Sequence, residues 1–279
     1  MVLAAGRICV STLSMSSRED MVAVAGMGIG LELFADGDLW KEPKEILLFG
    51  REALARGVRF AGVHAPIYDL NLACERYPGV RRETLDAYRR CLEVAAALGA
   101  RYTVVHPSSG RGPIFDRGEA ARLAKEALAE LAVRAGQLGV GLAVENVGLG
   151  KAALFDQGEY AALFGEVEGL LALLDVGHAF INGWDIPQIV GVLGEKLAAL
   201  HLHDNDGRED GHLPLGEGKT EWPAVWKAVQ VSAATPALVL EYRPMPVSRL
   251  IQLVEKARRD LAVLDNGAGG RAVNPDRPT

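Results

Sequence analysis

The sequence predicts a (β/α)8 barrel, the TIM-barrel architecture of the α/β class. Eight short apolar segments rich in β-branched residues recur along the 279 residues, and segments with helical spacing alternate with them. Short, nearly continuous apolar segments are typical of parallel strands, because helices cover such strands on both faces. The composition does not change along residues 1–264, which favours one barrel domain there rather than two units.

The predicted strands and helices follow one another along this whole domain. The strands are Ile8–Leu13, Ile29–Phe34, Val58–His64, Tyr102–His106, Gly141–Glu145, Leu170–Asp175, Ala198–His203 and Ala237–Tyr242. The helices are Pro43–Arg56, Val80–Leu98, Arg117–Leu138, Glu159–Glu166, Ile186–Lys196, Trp222–Val231 and Val247–Leu264. Residues 16–21 have the weakest helical pattern, with a short irregular turn as the alternative. Residues 265–279, rich in Gly, Pro and Asn, are expected to form a flexible C-terminal tail.

An open, doubly wound sheet is the alternative arrangement of the same elements. Such sheets usually have a glycine-rich turn directly after the first strand. Here the sequence Ser-Met-Ser-Ser at residues 14–17 follows the first predicted strand, and Gly26, Gly28 and Gly30 precede the second strand instead. The sequence therefore favours the closed barrel and does not indicate a dinucleotide site.

Composition and charge restrict the classes of function. Hydrophobic residues make up 49% of the chain and charged residues 24%, and no apolar stretch reaches the ~20 residues that a membrane helix needs. Residues 1–10 lack the features of a secretory signal, so that a cytoplasmic location is expected. A formal net charge of −6 does not favour broad binding to nucleic acid. The three cysteines have no CxxC spacing, which argues against disulfides and against a cysteine-based zinc site.

Histidines and carboxylates recur where the predicted strands end. All six histidines lie at a strand end or in the loop after it: His64, His106, His178, His201, His203 and His212. Three carboxylates also end strands: Glu145, Asp175 and Glu241. A parallel barrel opens all strand C-termini onto one face, so these side chains should converge there. Imidazole and carboxylate together suit zinc, manganese, iron or cobalt, and burying three carboxylates without a cation would be costly.

Five strand-end motifs resemble those of a known superfamily. They are residues 144–146 (Val-Glu-Asn), 174–178 (Leu-Asp-Val-Gly-His), 201–206 (His-Leu-His-Asp-Asn-Asp), 211–218 (Gly-His-Leu-Pro-Leu-Gly-Glu-Gly) and 240–241 (Leu-Glu). In combination they are similar to the xylose isomerase-like barrels, which include sugar and sugar phosphate isomerases and epimerases and also endonuclease IV, an AP endonuclease of family 2. The resemblance is specific for the superfamily and much less specific for one reaction.

The sugar branch of this superfamily implies one divalent metal ion (zinc, manganese, cobalt or magnesium), held by Glu145, Asp175, His201 and Glu241. The resemblance implies that the two glutamates are also catalytic: they would exchange protons with the substrate through an enediolate, while the metal polarises a ketose carbonyl. His178 and Arg208 would bind substrate oxygens. Glu32 in the second strand is expected either to line the barrel mouth and bind substrate or to form a structural pair.

The endonuclease IV branch implies up to three zinc ions at the same place. The first would be held by His64, His106 and Glu145, and Glu145 would bridge to the second. The remaining ligands of the second ion would be Asp175, His201 and Glu241, and those of the third ion His178, Asp210 and His212. Such a cluster would activate water for cleavage of a phosphodiester at an abasic site. A suitable residue fills every one of these positions.

Two features favour the sugar branch. Residues 203–222 match the sugar isomerase pattern better, and Val176-Gly177 stands where the nucleases usually carry Thr-Cys. The expected partner is therefore a small sugar or sugar phosphate, with nucleic acid less favoured, no membrane partner, and a homo-oligomer as a further expectation. A barrel that only binds sugar is disfavoured, because both proton-transfer glutamates are present.

Overall fold

The strands and helices alternate in the order that the sequence predicts. The computed structural model describes residues 7–36, 43–110 and 114–268, and in it eight parallel strands close into one barrel in chain order. The strands are β1 Ile8–Ser11, β2 Gly30–Phe34, β3 Phe60–His64, β4 Tyr102–Val105, β5 Gly141–Glu145, β6 Leu170–Asp175, β7 Leu197–Leu202 and β8 Ala237–Leu240. The α-helices of the described ranges are α1 Arg18–Ala25, α2 Pro43–Ala55, α3 Pro78–Leu98, α4 Arg117–Leu138, α5 Gln157–Glu166, α6 Val176–Ile181, α7 Ile186–Leu193, α8 Trp222–Val231 and α9 Val247–Ala268. Short 3-10 helices occupy Thr12–Ser14, Gly150–Ala152 and Gly194–Lys196. The predicted (β/α)8 barrel is confirmed, and among the described helices none has both the length and the apolarity needed to cross a bilayer.

Most element bounds lie within three residues of the predictions, and three differences are larger. The weakest helical pattern does form a helix, α1, because Ser17 caps its first turn and Asp20 completes a capping box. The short helix α6 is not predicted; it follows β6 directly because the Asp175 carboxylate accepts a hydrogen bond from the backbone N–H of His178. Helix α9 continues to Ala268, into the segment expected to be a tail, and residues 269–279 lie outside the described residues.

Glycines in the left-handed conformation end helices α3 and α4 sharply. Gly99 follows α3 with φ 66°, and Gly139 follows α4 with φ 67°. A residue without a side chain adopts this conformation at little cost. Because the chain turns at once, β4 and β5 begin almost immediately and carry His106 and Glu145 to the barrel mouth.

The core has two parts, because alternate side chains of each strand point to opposite faces of the sheet. The larger part lies between the strands and the surrounding helices. A smaller cluster of side chains fills the barrel interior: Cys9, Ala61, Tyr102, Val104, Ala143, Leu173, Ala199, Ala237 and Val239. Because this apolar packing occupies the interior, the polar side chains collect above it, toward the carboxyl ends of the strands.

Asp204 organises the long loop between β7 and α8, residues 203–221. Its buried carboxylate accepts hydrogen bonds from the backbone N–H groups of Gly216 at 3.0 Å and Thr220 at 3.1 Å. The indole N–H of Trp222 donates to the same carboxylate at 2.9 Å. One carboxylate thereby fixes the path of a loop that has no helix or strand of its own and that carries His212.

Replacing Asp204 with alanine should lower the free energy of unfolding by about 2–4 kcal/mol, because the buried donors of Thr220 and Trp222 and the partly buried donor of Gly216 lose their acceptor. Asp206→Ala is the matched control in the same loop, since the Asp206 carboxylate accepts an exposed hydrogen bond from the backbone N–H of Arg208. The control should cost less than about 1 kcal/mol. Urea titrations measure both values, and equal losses would contradict the role given to Asp204.

Candidate metal centre

The carboxyl ends of the strands bring four predicted ligands to one point: Glu145, Asp175, His201 and Glu241. Nδ1 of His201 lies 3.2 Å from Oε2 of Glu241. The same nitrogen lies 3.7 Å from Oε1 of Glu145 and 3.8 Å from Oδ2 of Asp175. All four side chains are buried, and within the described ranges no directed hydrogen bond reaches this nitrogen. One imidazole nitrogen and three carboxylates around a single point form a donor set that suits a divalent cation.

Two further histidines contact the other oxygen of Glu145. Nε2 of His64 lies 3.2 Å and Nε2 of His106 lies 3.0 Å from Oε2 of Glu145. Nδ1 of His64 donates to the carbonyl of Ala65 at 2.8 Å, so that Nε2 carries a lone pair when the ring is neutral. A lone pair that faces a carboxylate oxygen requires a proton or a metal ion between the two atoms. These residues therefore fit the first zinc group that the nuclease branch implies.

A third group lies between α6 and the loop after β7. Oδ2 of Asp210 lies 3.2 Å from Nε2 of His178 and also 3.2 Å from Nε2 of His212. Nδ1 of His212 donates to the carbonyl of Glu241 at 3.0 Å. His212 also has a left-handed backbone, with φ 43°. This conformation is unfavourable for a residue with a side chain and occurs preferentially at functional sites.

His203 belongs to the same cluster, although the predicted ligand sets leave it out. Its Nε2 lies 3.1 Å and 3.0 Å from the two carboxylate oxygens of Asp175. Its ring stacks on that of His212 with centroids 4.0 Å apart. Nε2 of His203 also lies 3.9 Å from Oδ1 of Asp210, which places the ring between the second and third groups. The spacing from His201 is the sequence signal for this position, because residues two apart on a strand face the same side.

Gly177 makes room for the ring of His203. A Cβ at Gly177 would lie 2.0 Å from Cε1 of His203, far inside contact distance. The Val-Gly sequence at the start of α6 therefore has a structural reason: the helix passes directly over the buried imidazole. The ring of His203 therefore restricts which residue can stand at position 177, and the sequence around either position does not reveal this contact.

Glu32 and Arg208 do not have the positions expected of substrate-binding residues. The Glu32 side chain is completely buried and hydrogen-bonds to His201 and Tyr102, which agrees with the alternative of a structural pair. Arg208 is exposed and does not line the cavity over the donors, because its loop turns it toward solvent. His178, the third expected substrate contact, does line that cavity.

A cavity of about 370 Å³ lies directly over the donors. Its polar floor is formed by His64, His106, Glu145, His178, Asp210, His212 and Glu241. Apolar side chains and one tyrosine form part of its wall: Leu13, Phe34, Ile67, Tyr68, Val147 and Leu149. A few convergent polar groups under an apolar wall are typical of a site for a small molecule.

The crowded charges shift the pKa of most groups at the floor. Burial raises the pKa of Glu145, but His106 and His201 together lower it well below its usual value. Burial lowers the pKa of His201, yet the carboxylates around it, Glu241 first, raise it well above its usual value. His106 differs, because there burial dominates and lowers the pKa. Without a metal ion, protons on the histidines balance the carboxylates, and a cation would take the place of those protons.

The metal-free protein should lose stability as the pH rises from about 6.5 to 10. Against the effect of burial, Asp175 raises the pKa of His178 to about 10, and Asp210 raises the pKa of His212 to about 9. A histidine whose pKa is raised by folding stabilises the protein fully below its usual value of about 6.5, and this contribution is lost as the pH rises through the folded value. The loss is at most about 1.4 kcal/mol per pH unit for each histidine. Urea unfolding after chelation, repeated across this pH range, measures it.

Asp210→Asn provides the control for this pH dependence. It removes the carboxylate that both His178 and His212 face, so that the stability of the variant should vary less with pH over the same range. A profile for the metal-free wild type that is flat between about pH 6.5 and 10 would contradict the protonated state of these histidines.

Gly177→Ala should lower the free energy of unfolding by about 1–3 kcal/mol, because the added methyl group overlaps the ring of His203. Gly191→Ala is the matched control, since it also replaces a helical glycine but meets no atom within 4 Å. The control should stabilise the protein by up to about 1 kcal/mol. A neutral Gly177→Ala variant would show that His203 is not held in this position.

Relatives of the chain include proteins from both branches. An uncharacterized protein of Methanocaldococcus jannaschii, MJ1614, is 30% identical over 192 residues, which cover 68% of this chain and 72% of that protein. Endonuclease 4 of Thermus thermophilus is 32% identical over 190 residues, 63% of this chain and 66% of that protein. Fructoselysine 3-epimerase of Escherichia coli O157:H7 is 29% identical over 147 residues, 50% of this chain and 52% of that protein. The chain thus matches about half to two thirds of the length of these two named enzymes.

Solved structures share the fold over nearly the whole chain. A D-tagatose 3-epimerase-like protein superposes with a TM-score of 0.80 at 23% identity, covering 94% of this chain and 99% of that chain. The TTHB071 protein of Thermus thermophilus, soaked with ZnCl2, superposes with a TM-score of 0.66 at 26% identity, covering 91% of this chain and 98% of that chain. The family model of the xylose isomerase-like TIM barrels matches residues 24–266. With its closed barrel and with this match over most of its length, the chain belongs to the xylose isomerase-like TIM barrel family.

Proposed function

We propose that this protein is a divalent-metal-dependent isomerase or epimerase that acts on a sugar or sugar phosphate. The observation that carries the proposal is a pair of buried carboxylates, Glu145 and Glu241, next to one nitrogen of His201 at the floor of a cavity. Two carboxylates at one point can take a proton from a carbon atom and return one.

Glu145 and Glu241 are the proposed catalytic residues. Although burial raises the pKa of each carboxyl group, neighbouring histidines hold it below its usual range, so that an ionised base is available at neutral pH. One carboxylate would remove the proton from the carbon next to a carbonyl group, which leaves an enediolate. Return of a proton to the opposite face by the other glutamate, which must first have taken up a proton to become a carboxylic acid, gives the epimer, and return to the adjacent carbon by the first glutamate gives the isomer.

Four residues would hold the metal ion: Glu145, Asp175, His201 and Glu241. When bound, a divalent ion supplies Lewis acidity to the substrate carbonyl and the neighbouring hydroxyl group. The donor set of nitrogen and oxygen suits zinc, manganese or cobalt and does not distinguish among them. The zinc-soaked relative of known structure supports zinc as the first ion to try.

The cavity and its surroundings support a compact polyhydroxylated substrate. Apolar side chains such as Phe34, Ile67 and Leu149 can cover the C–H face of a sugar, while His178 on the floor can donate to a hydroxyl group. The likeness to fructoselysine 3-epimerase supports this substrate class. Residues 203–221, the long loop at the mouth, contain six acidic and two basic residues, a charge balance that repels a phosphodiester backbone.

A phosphodiesterase is the second candidate, and a specific observation favours it. Residues of both additional groups that a cluster of three ions would need lie close together: His64 and His106 near Glu145, and His212 near Asp210. Endonuclease 4 is also one of the relatives. In this alternative the three groups would bind zinc together, and water would attack the phosphorus atom while one ester P–O bond breaks and its sugar oxygen leaves with a proton.

Glu145→Gln and Glu241→Gln should each slow the exchange of solvent deuterium into a reactive ketose by about 10²–10⁴-fold, because each removes a general base. The measurement uses zinc-, manganese- and cobalt-loaded protein with a panel of free and phosphorylated ketoses, followed by NMR. The metal content of each variant is determined in parallel, since both residues are also proposed ligands. Glu209→Gln, in the exposed part of the mouth loop, is the control and should leave the rate unchanged. Absence of exchange into every ketose with the loaded wild type would count against the proposal.

An oligonucleotide with one abasic site separates the two candidates. If the protein is a sugar isomerase or epimerase, the strand should stay intact when the protein is supplied with three equivalents of zinc. Cleavage that is lost in His212→Ala would instead establish the phosphodiesterase, because His212 belongs to the third group and is neither one of the four proposed ligands of the single metal ion nor one of the two proposed catalytic residues.

A further inference from the structure

We infer that Tyr102 and Glu32 form a buried hydrogen-bonded chain that holds His201 in the tautomer and orientation a metal ion requires, which makes Glu32 a positioning residue. The inference rests on the metal centre of the proposed function and adds a layer of residues beneath it. Neither Tyr102 nor Glu32 lines the cavity, so that both would act through His201 rather than on the substrate.

The register of three neighbouring strands builds this chain. Glu32 on β2 pairs with Gly62 on β3, and Gly62 pairs with Tyr102 on β4. A Cβ at Gly62 would lie 2.2 Å from Cε2 of Tyr102. The ring of Tyr102 therefore crosses the space that a side chain of residue 62 would fill, and its hydroxyl reaches Glu32. A glycine at position 62 is the condition for this contact.

The hydrogen bonds determine which nitrogen of His201 is left for a metal ion. The hydroxyl of Tyr102 donates to Oε2 of Glu32 at 2.8 Å, and Oε1 of Glu32 lies 2.8 Å from Nε2 of His201. An ionised carboxylate only accepts hydrogen bonds, so Nε2 carries the proton. The lone pair of the neutral ring is then on Nδ1, the nitrogen that faces the three carboxylates at 3.2–3.8 Å.

The burial of this chain indicates a role beyond stability. Glu32 and His201 are 0% exposed and Tyr102 is 2% exposed, at a level of the barrel where branched apolar residues are usual. A carboxylate in such a place loses its hydration, and two hydrogen bonds offset this cost only in part. A carboxylate bonded to the second nitrogen of a metal-binding histidine fixes the ring and increases its basicity. A positioning role for Glu32 accounts for a carboxylate at this level of the barrel.

Glu32 could instead bind the metal ion itself, since Glu32, His201 and Glu241 also lie close enough together to share one. Against this, both oxygens of Glu32 are already engaged, one by Tyr102 and one by His201. The two roles differ in a measurable way. Loss of a ligand changes the coordination of bound Co²⁺ and its visible spectrum, whereas loss of a positioning residue weakens binding and leaves the saturated spectrum similar.

Titration of the metal-free protein with Zn²⁺ against a competing chelator tests the inference. Glu32→Gln should weaken zinc binding by about 10–100-fold, the usual effect of losing such a partner. Tyr102→Phe should weaken it by a smaller factor in the same direction. Tyr160→Phe is the matched control: its buried hydroxyl lies 2.8 Å and 2.7 Å from the carbonyl oxygens of Val144 and Leu173, which share its single proton outside the chain of Tyr102, Glu32 and His201, and its loss should leave zinc affinity unchanged.

Each outcome is decisive. Cooperative thermal unfolding first establishes that the variants are folded, and Tyr102→Phe serves as the test if Glu32→Gln does not fold. Folded Glu32→Gln or Tyr102→Phe that binds zinc as tightly as the wild type would overturn the inference, as would a Co²⁺ spectrum of Glu32→Gln that shows a lost ligand. Failure of the wild type to bind zinc would reject the proposed metal centre itself, and that result is known before any variant is titrated.

Discussion

Three carboxylates, Glu145, Asp175 and Glu241, surround one nitrogen of His201 at distances of 3.8 Å or less, and all four side chains are buried. Like charges at such distances repel strongly, and each also loses its hydration on burial. The protein places imidazole rings among them, and, against the effect of burial, neighbouring carboxylates raise the pKa of His64, His178, His201 and His212, whereas burial lowers the pKa of His106. This balance explains why so many histidines lie at one end of the barrel, and a divalent cation bound there would take the place of the protons.

The barrel provides the rigidity that this arrangement needs. Residues nearly a hundred positions apart meet because all strand ends open onto one face, and sharp helix ends at Gly99 and Gly139 keep the connections short. The loop that completes the site is held by the buried carboxylate of Asp204. Below the ligands, the proposed chain from Tyr102 through Glu32 would orient His201. Residues of both the strands and the loop therefore hold the site in place.

The order of elements and the residues that meet at the mouth could be predicted from sequence, because apolar period and strand-end position are local properties. The depth of a side chain within the barrel could not be predicted from sequence. Along its strand, Glu32 occupies the same inward-facing alternation as a residue at the barrel mouth. Its side chain lies below the mouth, where it hydrogen-bonds to Tyr102 on β4 and His201 on β7. The contact between Gly177 and His203 joins residues from two separate elements, and Arg208 lies in a loop without periodicity. Each of these positions depends on tertiary packing, which a local pattern does not contain.

Both candidate functions of this chain would use the donors at the barrel mouth, so the decisive property is where an ion binds. Anomalous diffraction at the zinc edge, from crystals of the zinc-loaded protein, locates it directly. We expect a peak bonded to Nδ1 of His201 and to the carboxylates of Glu145, Asp175 and Glu241. Zinc bound elsewhere on the protein, with no anomalous density among these four side chains, would contradict the proposed metal centre.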